Sequence, residues 1–72
     1  MDKLYLNEIY IDKDNGLSYK LRVIREDYVE LMYVKPNGGG HIMSIGINVF
    51  RKDFKPGPKA LLRARLGSGT KN

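Results

Sequence analysis

The side chains able to do chemistry are few. His41 is the single histidine, the residue type best suited to general acid–base work. A general base needs an orienting partner and a nucleophile or substrate group within reach, and no spacing around His41 supplies them, so it reads as a loop or strand-end residue. With one histidine and no cysteine, only carboxylates remain to hold a metal. Asp12-Lys13-Asp14-Asn15-Gly16 starts like a calcium loop but lacks the later ligands and the closing Glu, so it reads as a hairpin turn. Gly38-Gly39-Gly40 is not followed by Lys-Ser/Thr and sits between two strand-like runs, which is no phosphate loop. The expectation is a non-enzyme with no catalytic residue, metal or cofactor.

Charge carries more information. Residues 1–50 hold six basic against seven acidic side chains, whereas residues 51–72 hold seven basic against Asp53 alone. Charge of one sign on one segment concentrates its field there and suits a polyanion or an acidic protein face. The candidate contacts are Arg51, Lys52, Lys55, Lys59, Arg63 and Arg65. Neutralising phosphates in this way gives affinity without sequence choice. Among the five tyrosines, Tyr10 and Tyr28 are the candidates to stack on unpaired bases, while Tyr19 and Tyr33 face inward by parity. Leu62 and Leu66 are candidate apolar anchors, either for docking a short helix or for a partner.

Those residues need a scaffold, and the chain has 72 residues to build one, enough for a single small domain. The absence of cysteine excludes a disulfide framework and a thiol enzyme. No apolar run approaches a membrane span. MDKLYLNEIY has no apolar core of a secretory signal, so a cytoplasmic setting is expected.

Turn signals at Asp14-Asn15-Gly16, Glu26-Asp27, Pro36 to Gly40 and Pro56-Gly57-Pro58 separate short runs rich in Ile, Val, Leu and Tyr, the spacing of an antiparallel meander. The clearest strand is 17–24, where Leu17, Tyr19, Leu21 and Val23 alternate with polar residues. In 3–11 the apolar parity breaks near Asn7-Glu8, which predicts a bulge or bend. Asn15-Gly16 suits the positive-φ positions of a tight turn into the second strand. A two-residue turn at Glu26-Asp27 leads to the third strand, 28–35, apolar on both faces and so internal. The fourth, 41–49, places Met43, Ile45, Ile47 and Val49 on one face. The triple-glycine loop before it is expected to be mobile. Phe50 and Phe54 are four apart, as on one helical turn, and a short last strand follows. Pro58 suits a first helical position and Gly67 a position just past a helix end, with 67–72 disordered.

The expected fold is mainly β: a small five-stranded antiparallel SH3-like barrel over 1–57, with a short basic C-terminal helix or tail over 58–72. A curved first hairpin, a strong second strand, a Gly-rich turn and Val49 to Phe54 (VFRKDF) before the last strand give residues 3–56 a pattern that resembles Tudor, KOW and related modules. That resemblance implies a scaffold that binds peptides, RNA or DNA; it is one of element pattern and carries over no functional residues. An OB-like barrel is the alternative, into which five full strands are hard to fit at this length.

Two functions follow. The first is a non-enzymatic basic module that binds DNA or RNA through the phosphate backbone in a regulatory or nucleic-acid-handling role. The second is a protein-binding adaptor or inhibitor that docks on an acidic surface, such as a phage or mobile-element product that blocks a larger host enzyme. No membrane partner is expected, and an open edge in so small a chain makes a homodimer plausible.

Overall fold

A computed structural model describes residues 3–35 and 40–69, the side chains of 67–69 excepted. It contains β1 (Ile9–Asp12), β2 (Ser18–Ile24), β3 (Tyr28–Tyr33), β4 (Ile42–Gly46), α1 (Ile47–Asp53), β5 (Phe54–Pro56) and α2 (Pro58–Gly69). The strands form one antiparallel sheet in the order β4-β3-β2-β1-β5. The meander is therefore present, but the expected barrel is not closed: β4 and β5 are not paired with each other. Met43 and Ile45 on the inner face of β4 line one hollow with Asp12 of β1 and Phe54 of β5. No helix among the described residues is long and apolar enough to cross a membrane.

The core follows from parity, corrected at two irregularities. Tyr10, Leu21, Val29, Leu31, Phe50, Phe54 and Ala60 are buried. The first irregularity is the predicted break: Asn7 is left-handed at φ 68°, a conformation asparagine tolerates better than most residues. Around it, the Asn7 N–H donates to the Leu21 carbonyl and the Leu21 N–H to the Glu8 carbonyl, so the segment stays tied to β2. The second was not expected. Leu21 pairs with Leu31 but Val23 pairs with Glu30, which leaves Arg22 as the extra residue of a bulge. One extra residue flips the parity beyond it. Ile24, opposite Val29, packs on the core where Val23 was expected to.

The turns use side chains as well as backbone. Asp12 Oδ1 accepts from the Asp14 N–H at 2.8 Å, and Asn15 Oδ1 from the Leu17 N–H at 2.8 Å. Only Gly16 of the Asn15-Gly16 pair takes a positive φ, 74°, because the Gly16 N–H reaches back to the Asp12 carbonyl and makes the loop longer than two residues. The Glu26-Asp27 turn is as expected, closed by the Arg25 N–H to the Tyr28 carbonyl at 2.8 Å.

Past Gly46 the chain departs from the expected fourth strand. It becomes α1 at Ile47, two residues before the expected strand end, with Val49 exposed and Phe50 buried. The helix lays Phe50 on Phe54, ring centroids 5.1 Å apart and nearly parallel, as their spacing predicted. Tyr19 and Tyr33 lie half-buried, 5.5 Å apart, with Tyr19 packed against the core. Pro58 opens α2 as expected, but the helix runs through Gly67 to Gly69. The expected disorder of 70–72 and the mobility of Gly38-Gly39 fall outside the described residues. Gly40 is described and has a steric reason: a Cβ there would overlap the Tyr33 carbonyl.

Candidate nucleic-acid interface

The basic third of the sequence is split among three elements, α1, β5 and α2. Arg51 and Lys52 occupy the last turn of α1, where cations complement the helix dipole. Lys55 is exposed at the centre of β5. Lys59 and Arg65 are exposed on α2. Arg63 lies on the same helix, but Nη1 donates to Glu8 Oε2 at 3.0 Å and the guanidinium sits 5.2 Å above the Tyr5 ring. Glu8 thus offsets part of the charge that the sequence assigns to this face.

One cation comes from elsewhere. The Lys13 ammonium donates to the Lys52 carbonyl at 2.9 Å, and the Lys13 N–H donates to the Asp53 carbonyl at 2.9 Å. These bonds tie the β1–β2 loop to α1 and bring Lys13 beside Arg51 and Lys55 around a cleft of about 330 Å³. Leu4, Tyr10, Phe50, Phe54 and Pro56 complete its lining. Lys13 and Lys52 are 39 residues apart, and no local pattern announces the pairing. On the other side of Lys13 and Phe54 lies the hollow that contains Asp12, Asp14 and Asp53. Three cations, Lys13, Arg51 and Lys55, thus stand beside three carboxylates, with Lys13 lining both hollows.

The stacking candidates separate. Tyr10 is only 2% exposed, so it belongs to the core and cannot meet a base. It pairs with Pro56 and Tyr19 across the sheet, and its ring meets Phe50 edge-on at 5.2 Å. Ile9 and Ile11, on the opposite face of β1, are only half-buried. The Tyr10 hydroxyl accepts the Tyr5 N–H at 3.1 Å, and burial holds its pKa above the ordinary tyrosine value. Tyr28 is half-buried at the start of β3, so part of its surface can be reached.

Leu62 and Leu66 do not dock the helix: they are 54% and 58% exposed. Ala60, 1% exposed, and Ala64 seat α2 on the body instead, because small side chains let the helix approach closely. The leucines remain available to a partner. His41 is exposed, with its carbonyl accepting the Tyr33 N–H. Among the described residues no group of three or more His, Cys, Asp or Glu side chains could hold a metal ion.

No protein-family model matches the chain, and no significant match exists among curated proteins or solved structures.

Proposed function

We propose that this chain is a non-enzymatic basic module that binds the phosphate backbone of DNA or RNA, in a regulatory or nucleic-acid-handling role in the cytoplasm. The observation that carries the reading is that Lys13, Arg51 and Lys55 line one cleft, while Lys52, Lys59 and Arg65 add to the positive charge of α1 and α2 in a chain that is otherwise near neutral. The strand order and the short helix before β5 support an open SH3-like module as the scaffold, in keeping with the Tudor and KOW pattern. The test is binding of the full chain to single- and double-stranded DNA and RNA across a salt series, beside the triple variant Lys55→Glu, Lys59→Glu, Arg65→Glu. Steep weakening with salt and loss in the variant support the reading. Absence of binding by the full chain at low salt rejects it.

The exposed leucines of α2 favour a second reading, an adaptor or inhibitor docked on an acidic protein face. Leu61, Leu62 and Leu66 stand among Lys59, Arg63 and Arg65, a mixture that suits an apolar patch rimmed by carboxylates. Binding of that kind falls on Leu62→Ala and depends only weakly on salt.

A further inference from the structure

The β4 edge of the sheet is unlike any other part of the molecule. From Gly38 to Phe50 the chain contains no Asp, Glu, Lys, Arg or Pro. Proteins ordinarily protect an outer strand with a charge, a proline, a bulge or a covering element. The opposite edge has such protection: β5 is three residues long, with Lys55 at its centre and Pro56 at its end. β4 has five residues, pairs only with β3 in regular register, and leaves Ile42 62% exposed.

The ladder fixes which backbone groups of β4 are spare. The Tyr33 N–H donates to the His41 carbonyl and the Ile47 N–H to the Asp27 carbonyl. Backbone groups alternate in direction along an antiparallel strand. His41, Met43, Ile45 and Ile47 therefore address β3. Ile42 and Ser44 turn both N–H and C=O outward, and Gly46 its N–H.

We propose that β4 pairs antiparallel with β4 of a second copy of this chain, about a two-fold axis at Ser44. This inference is independent of nucleic-acid binding. In that register Ser44 faces Ser44 and Ile42 faces Gly46, so that each spare group named meets a counterpart except the Ile42 N–H, which faces the carbonyl of the α1 N-cap Gly46. About four backbone hydrogen bonds form, two between the serines and one from each Gly46 N–H to the Ile42 carbonyl opposite. Ile42 is the most exposed large apolar side chain among the described residues, and it is set against the residue with none. A Cβ built on Gly46 meets nothing within 4 Å, so the space beside it is open and leaves room for the partner's Ile42 to lie across from it. Because the paired edges carry no charge, the +5 chain meets no like-charge opposition along the seam. A partner strand here must be short, uncharged and free of proline, and the chain's own β4 meets each requirement.

Sedimentation of the full chain from 1 to 300 μM tests the proposal, with Ser44→Lys, Ser44→Glu and Gly46→Val measured alongside and circular dichroism checking that each is folded. The wild type is expected to move to twice the 8.2 kDa chain mass as concentration rises. Each Ser44 variant alone should stay monomeric, since it opposes like charges across the axis. An equal mixture of Ser44→Lys and Ser44→Glu should recover the dimer. Gly46→Val should fold and keep the dimer, because a valine opposite Ile42 makes an ordinary cross-strand pair on the open face. A wild type that stays monomeric throughout overturns the proposal. So do single Ser44 variants that associate like the wild type, or a charge mixture that fails to recover. If the variants do not fold, two copies carrying a nitroxide at position 44 should place the labels close together, and labels beyond about 20 Å overturn the two-fold register.

Discussion

The two edges of this sheet are built from opposite materials. The β5 edge is short, ends in proline, and stands beside α1 and α2 with most of the molecule's excess positive charge. The β4 edge is longer, uncharged and bare. Both are joined through one helix, α1, which leaves β4 at Gly46 and enters β5 at Phe54. The difference shows how a chain too small for two domains can still offer two kinds of surface: one selected by long-range charge, the other by backbone hydrogen bonds and close fit.

The comparison breaks most completely if the element joining the edges is removed. Phe50→Ala deletes a ring that is 1% exposed and stacks on Phe54. A loss of about 3–5 kcal/mol is expected, most of the stability of a domain this small, and urea titration followed by circular dichroism checks it. The charged side is tested on its own by Lys55→Glu, Lys59→Glu, Arg65→Glu. At about 50 mM salt this triple variant should bind nucleic acid at least about 100-fold more weakly, with a shallower salt slope, while any β4 association is unchanged.

The seating of α2 is the next largest effect. Ala60→Leu enlarges a side chain that is 1% exposed where α2 meets the body and should cost about 1–3 kcal/mol, whereas Leu62→Ala should cost less than about 0.5 kcal/mol. Thermal melts of the two variants give the contrast directly. Below that comes a pH effect. Burial raises the Tyr10 pKa in the folded chain, so the folded state holds the proton after the unfolded chain has begun to lose it near pH ~10. The stabilisation is complete below that pH and is lost as pH rises towards the folded value. The melting temperature should therefore fall more steeply above pH ~10 in the wild type than in Tyr10→Phe. The smallest effect is expected at Glu8: its partner Arg63 is 53% exposed, so Glu8→Gln should change stability by no more than about 0.5 kcal/mol while raising the positive field of α2. Melting curves and the low-salt binding constant check the two halves of that statement.

Local alternation made most of the sheet legible. The second and third strands, the turn at Glu26-Asp27, the break at Asn7-Glu8 and the Phe50–Phe54 contact all follow from spacing. What was hidden has common causes. The Arg22 bulge is a decision of the β2–β3 pair, invisible in either strand alone, and it moves Ile24 inward in place of Val23. Tyr10 lies inside because the large ring, and not the aliphatic Ile9 and Ile11 beside it, takes the core face of β1, where all three apolar residues leave the alternation ambiguous. Of the two roles open to Leu62 and Leu66, docking α2 falls to Ala60 and Ala64, because close approach favours the smallest side chains. Of the candidate site, the charge asymmetry was plain in the sequence. The contribution of Lys13 and the partial neutralisation of Arg63 by Glu8 were not, since both depend on contacts between distant parts of the chain.

The link between β5 and α2 has a mechanical meaning. Gly57 is buried between Pro56 and Pro58, with its N–H on the Ile9 carbonyl at 2.9 Å and its own carbonyl accepting from the Leu61 N–H. A Cβ at that position would come within 2.9 Å of the Ile9 oxygen. A glycine between prolines would ordinarily be taken for a swivel, but both neighbours have φ locked and its own hydrogen bonds are committed. The link is a bracket. The helix cannot swing to wrap a ligand, so the spacing between its charges and those of α1 and β5 is set before any partner arrives. Whatever binds must fit that spacing, and little ordering entropy is lost in the protein when it does.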